Sequence, residues 1–426
     1  MPVSLNVGQL AYICAITCTA LSAYLVCKLG LTTRDAAQRN AQFRSLQLHF
    51  LIPYLAILLA ESIQAPYLYV LYHVYGFLPG QISVLYVVGL TMNVVSTVLT
   101  VHLLSRYDRR MLCLCCVASG SLACLLKFSD NYLILLIGRL LDGFSAALIT
   151  SPFQQCHRFC LFVRKNKPLL EQYDCGRDGR IIEQDSCHNL TESCRSIGKK
   201  PVVLVLCTVH TLFESTLLIF IFVWTPLFIH SKAVLGQRIS YGVVYAAFMS
   251  CALLGSVSSR LYQKRVMASR VLCASSCACL IALVLAVFVI PSSPSDWSTY
   301  LFDILLLLFC LFEFAVGSYL PSMNKLQIDL LPAEHRSSLL ALLRIPLTII
   351  SCGGMLFLHS GSSDWQIVLM GCILLSLTTL CALLLHLVLS RNTPEQINDH
   401  FVLKLSTNVY DSQEDEDDLP QGLTVG

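Results

Sequence analysis

Apolar residues run through this chain in long uninterrupted blocks, with few short alternating or narrowly amphipathic stretches. The first block covers about residues 7–27 and is followed by Lys28, Arg34, Arg39 and Arg44. Four more cover about 48–72, 81–104, 111–126 and 131–151. After a polar interval, six further blocks cover about 201–229, 240–261, 271–290, 300–320, 339–359 and 365–389. A helix rising about 1.5 Å per residue needs about 20 apolar residues to cross a bilayer's hydrocarbon core. The pattern therefore predicts an all-α polytopic membrane protein of about eleven transmembrane helices, one N-terminal, then four, then six.

The polar intervals divide this array. Residues 1–45 hold the N-terminal helix and its basic connector, 46–154 a four-helix half, and 201–390 a six-helix half. Between the halves, 155–200 carries Cys156, Cys160, Cys175, Cys187 and Cys194 among many charges and reads as a long cytoplasmic loop. Residues 391–426 form an acidic cytoplasmic tail with the run Glu414-Asp415-Glu416-Asp417-Asp418.

Composition excludes the soluble classes. The 426 residues are 55% hydrophobic and 13% charged, with a mean hydropathy of +0.67, whereas soluble domains are about a quarter charged. The net charge of +3 matters less than where the charges fall. Of 29 Lys and Arg, the expected topology puts 24 on the cytoplasmic side, three outside (Lys127, Lys232, Arg238) and two within spans (Arg139, Arg344). Such an imbalance orients the bundle with its N-terminus outside. Many of the 21 cysteines lie inside apolar blocks, where they serve as small packing residues. The loop cysteines fit no standard metal spacing. No phosphate-binding glycine loop, H-E-x-x-H or nucleophile elbow is present, so neither an enzyme, a cofactor nor nucleic-acid binding is expected.

Chemistry is expected where ionisable groups interrupt the spans. Glu61, Arg139, Asp142, Glu214, Glu313 and Arg344 all stand at bilayer depth. Charges there are expensive and usually face a bundle interior or an aqueous pathway. Gln64 shares the helical face of Glu61, and His210 lies one turn before Glu214. Arg139 and Asp142, three residues apart, are as readily a structural pair as a functional one. Pro66, Pro226, Pro321 and Pro346, close to these charges, are candidate kink positions.

Several stretches carry a family resemblance. They are Gln64-Ala65-Pro66-Tyr67-Leu68-Tyr69 with Gly80-Gln81-Ile82 and Leu85-Tyr86-Val87; Gly138-Arg139; Leu212-Phe213-Glu214-Ser215 with Trp224-Thr225-Pro226; Tyr319-Leu320-Pro321-Ser322-Met323; and Arg344-Ile345-Pro346-Leu347. Together with the basic turn after the second core helix and the long central loop, they resemble the molybdate-anion transporter family of the major facilitator superfamily. Two features depart from that family. Ser105 and Asp108 replace the acid and a glycine of the turn, leaving Arg109 and Arg110. The superfamily's helices five and six find no apolar counterpart between Ser151 and Pro201.

The resemblance implies a multi-pass carrier at the cell membrane, with Glu61, Arg139, Glu214 and Glu313 each from one of the four cavity-lining helices. A molybdate dianion would then be bound by Arg139 and Arg344, helped by Gln64, Tyr67 and Tyr69, because guanidinium forks suit oxyanions. Glu61, Glu214 and Glu313 would carry protons. The alternatives are transport of another oxyanion such as sulfate, or a shortened, non-transporting form acting as a membrane interaction protein.

Overall fold

A computed structural model describes residues 7–28, 41–106, 109–150, 201–235, 240–263, 265–291, 297–331, 336–357 and 364–391. The expected loop over 155–200 and the acidic tail beyond 391 lie outside these residues. Eleven helices and no strand are found among them: α1 (Val7–Lys28), α2 (Ala41–Val74), α3 (Pro79–Arg106), α4 (Arg109–Leu126), α5 (Tyr132–Thr150), α6 (Pro201–Leu235), α7 (Tyr241–Tyr262), α8 (Ala268–Val289), α9 (Thr299–Leu330), α10 (Arg336–Phe357) and α11 (Asp364–Arg391). Over their described residues, ten of these helices are long and apolar enough to cross a membrane, and α4 contributes the shorter apolar stretch Leu114–Leu126.

Proline did not set the helix ends. α6 continues through Pro226, α9 through Pro321 and α10 through Pro346. Membrane helices tolerate such breaks because neighbours and local adjustments satisfy the freed carbonyls. In consequence α9 extends about three turns beyond the apolar block that announced it.

Helices α3 and α4 both pack on α5, and α6 to α11 form the larger group, where α9 meets both α7 and α8. Lipid offers no hydrophobic drive between helices, so close backbone approach matters. A Cβ on Gly255 would collide with the Phe314 carbonyl, and one on Gly317 with the Ala252 carbonyl, so these glycines let α7 and α9 touch reciprocally. The core of the second group is aromatic: Phe220 meets Phe309 edge-on at 5.0 Å, and Phe213 stacks on Tyr319 at 3.5 Å.

Two seams join the groups. α3 packs along α10, and α2 touches α6 and α7. Helix α1 docks on the second group, against α7 and part of α9. Its inward face is the small-residue series Ala11, Cys14, Ala15, Cys18 and Ser22. There Cys18 Sγ lies 3.6 Å from Cys251 Sγ, and Thr19 donates to Ser250 across 3.1 Å. By contrast α2 is sparsely covered, with Ile52, Leu55, Leu59 and Ile63 each more than half exposed.

Candidate functional site

The intramembrane charges gather in three places. The first lies among α2, α4 and α5. A short turn joins α4 to α5, with Lys127 N–H on the Cys124 carbonyl and the Asn131 side chain capping Leu133 N. The hydroxyl of Tyr75 donates to the Lys127 carbonyl across 2.8 Å. So held, Lys127 sends its side chain inward. Its ammonium donates to Gln64 Oε1 at 2.6 Å and pairs with Asp142 Oδ2 at 2.8 Å. Asp142 also receives Arg139 Nη1 at 3.2 Å. Side-chain exposures of 11%, 12% and 15% for Lys127, Arg139 and Asp142 make this a buried network.

Charge counting puts Lys127 on the outer side, and the structure adds that its side chain turns into the bundle. A lysine at a helix end is ordinarily assigned to the aqueous side, yet its four-carbon stem is long enough to reach back into the bundle. Only the turn geometry decides which way it goes. The remaining contacts of Arg139 explain its neighbours. Its Nε donates to the Leu85 carbonyl at 3.3 Å, and its guanidinium lies 5.0 Å from the centre of the Tyr86 ring. Gly89 leaves room for it, since a Cβ there would stand 2.9 Å from Arg139 Nη2. Glu61 makes no hydrogen bond or ion pair among the described residues, but it lies within electrostatic reach of Lys127, Arg139 and Asp142.

Tyr69 and Tyr67 carry the first place toward the second helix group. Tyr69 is 3% exposed and meets Phe222 of α6 edge-on at 5.6 Å, and Tyr86 meets the same ring at 4.9 Å. An aromatic bridge thus links the Arg139 network to α6. Tyr67 is half exposed, and its hydroxyl abuts Gly242 at the start of α7.

The second place straddles the α3–α10 seam. Arg344 Nη1 donates to Asn93 Oδ1 and to Thr97 Oγ1, both at 3.3 Å. Glu214 is the acid within electrostatic reach of Arg344, and it pairs with His210 Nδ1 at 3.3 Å. His210 in turn contacts Gln327 at 3.4 Å.

Glu313 occupies the third place, apart from both arginines. It is 4% exposed, has no hydrogen bond or ion pair among the described residues, and is surrounded by Tyr245, Cys251 and Cys279 of α7 and α8. The expected single ring of charges is thus distributed: Glu61 with Arg139, Glu214 with Arg344, and Glu313 by itself inside the second group. An apolar pocket between α6, α8, α9 and α11, lined by Ile219, Phe220, Leu283 and Phe309, contains no charged side chain and is not an oxyanion site.

Buried cations beside acids, on helices from two groups that meet along narrow seams, are what a transport pathway would present, and the comparisons with known proteins place the chain among membrane transporters. The family profile described as sugar transporters with twelve transmembrane helices matches residues 12–168 and 175–311, and the chain belongs to that family, within the major facilitator superfamily. Curated relatives include the molybdate-anion transporter of Takifugu rubripes, 27% identical, with 84% of this chain and 90% of the relative covered. That of Xenopus laevis is 29% identical, covering 80% and 85%. The Takifugu alignment runs over 446 positions, more than this whole chain, although only 84% of the chain takes part. That relative therefore carries segments with no counterpart here. The fold is similar to a bacterial homologue of the human lysosomal transporter Spinster in an inward-facing, unoccupied conformation, with a TM-score of 0.54, 12% identity, and 81% of this chain and 97% of that one covered.

Proposed function

We propose that this transporter takes up molybdate across the cell membrane with protons as the coupling ion. The observation that carries this is the buried Gln64–Lys127–Asp142–Arg139 network with Glu61 beside it. The names of the curated relatives supply the substrate class. Arg139 and Arg344 would each offer a planar fork to a tetrahedral dianion. Gln64, Tyr67 and Tyr69 add donors on the α2 face. With Glu61 ionised, the first network is neutral; with Glu61 protonated it carries one net positive charge. Protonation therefore prepares it for an anion.

Coupling answers an electrical problem. A potential of about 100 mV, inside negative, opposes entry by about 2.3 kcal/mol per charge, hence about 4.6 kcal/mol for a dianion. Two accompanying protons cancel that term. Glu61 and Glu214, each beside a cation, are suited to exchange a proton when substrate captures the arginine. Glu313, buried without an ionic partner, is a third carrier.

The test is uptake of labelled molybdate, with sulfate as competitor, at several external pH values, in wild type and Glu214→Gln. Coupling predicts uptake that rises as external pH falls and a Glu214→Gln variant that loses this dependence. Uptake indifferent to pH in both proteins would refute it. A second reading, a non-transporting membrane protein, draws on the relatives' extra segments and on the sparsely covered α2. Wild-type uptake no greater than that of Arg139→Ala would favour it.

A further inference from the structure

We infer that the Tyr72 hydroxyl is a substrate donor, completing the oxyanion site built on Arg139; this rests on the proposal that the chain binds molybdate. Tyr72 is 0% exposed, and its hydroxyl has no hydrogen-bond partner among the described residues. A buried hydroxyl that bonds nothing destabilises the fold, and native proteins leave few such groups. Phenylalanine would fill the same space without that penalty. A hydroxyl kept under these conditions has its donor free for a group that reaches it.

Its surroundings say what kind of partner. The charge it senses most strongly is that of Arg139, with Asp142 and Tyr75 further contributors. The two side chains interact electrostatically with no hydrogen bond between them, so the Tyr72 hydroxyl keeps its donor uncommitted. Tyr72 also shares a helical face with Gln64, at positions 64, 68 and 72 of α2. Helical side chains lean toward the N-terminal turn, so Tyr72, near the end of α2, projects back toward the level of Arg139. A phenolic O–H is a donor suited to an oxyanion whose other oxygens face a guanidinium. A neutral ligand could accept hydrogen bonds from the guanidinium but would lack the charge attraction an oxyanion adds, and a cation would be repelled.

Neighbouring Tyr75 supplies the contrast. Its hydroxyl already donates to the Lys127 carbonyl at 2.8 Å, so its role is structural.

The experiment compares wild type, Tyr72→Phe and Tyr75→Phe in two assays: initial rates of labelled molybdate uptake in cells, and the molybdate-dependent rise in thermal midpoint of purified full-length protein. For Tyr72→Phe the expected result is a KM raised about tenfold with little change in maximal rate. The midpoint without ligand should be equal or higher, and about ten times more molybdate should be needed for the same shift. Tyr75→Phe, which loses the hydrogen bond to the Lys127 carbonyl, should instead lower the midpoint without ligand. An unaltered KM and an unaltered molybdate titration in Tyr72→Phe would overturn the inference while leaving the transport proposal standing. No uptake by wild type, together with a thermal shift weakened by Tyr72→Phe, would support the inference and refute transport. If molybdate neither enters with nor stabilises the wild type, both fall.

Discussion

Replacing Asp142 by asparagine tests whether the α4–α5 network is held by charge. Asp142 accepts Lys127 at 2.8 Å on Oδ2 and 3.0 Å on Oδ1, and Arg139 at 3.2 Å. Asparagine nearly preserves shape, but it leaves two cations together in a site that is at most 15% exposed. Removing one member of a buried pair costs about 3–5 kcal/mol. Polar contacts between membrane helices average only about 0.6 kcal/mol. Because one carboxylate serves two buried cations here, the larger figure applies. Counting Lys127, Arg139 and Asp142, the net charge is +1 in the wild type, +2 in Asp142→Asn, and +1 again in Lys127→Met/Asp142→Asn.

The double variant should therefore be more stable than Asp142→Asn, although it has lost more contacts. Fluorescence-detected size exclusion after stepwise heating in detergent gives the ranking: wild type, then double variant, then Asp142→Asn. A double variant no more stable than the single one would refute charge balance as what holds the network, leaving shape and hydrogen bonding.

Two further outcomes follow from the seams. Gly255→Val places a Cβ where the Phe314 carbonyl sits and adds two methyl groups to it, so α7 and α9 cannot close; the monodisperse folded peak on size exclusion should be lost. Asn93→Leu removes one of the two acceptors of Arg344 Nη1 across the α3–α10 seam. Initial uptake rates should fall several-fold at equal surface expression, and Asn93→Asp, which keeps an acceptor, should retain more activity than the leucine variant.

The helical array was legible because membrane spans are a matter of length and apolarity, both local quantities. Each of the eleven expected blocks is a helix among the described residues, and ten of those helices are long and apolar enough over these residues to span a membrane. The charged positions within spans were equally visible, since an ionisable residue in an apolar run stands out whatever it touches. Their grouping was not visible. Glu61 and Arg139 lie far apart in the chain and come within electrostatic reach only because α2 and α5 flank the same turn-bound lysine. Glu214 and Arg344 approach only where α6 and α10 pack.

From its own pattern of apolar blocks and basic intervals, the chain determines how many helices it makes, roughly where they begin, and which ends carry positive charge. Tertiary structure decided the rest. It turned Lys127 inward, separated Glu313 from both arginines, docked α1 on α7, and buried the Tyr72 hydroxyl without a partner. The physical reason is that insertion in a bilayer depends on hydropathy summed along a single segment. A side chain's electrostatic partners depend on which faces of separate helices come together, and that is fixed by small residues, aromatic contacts and turn geometry far from the charge itself.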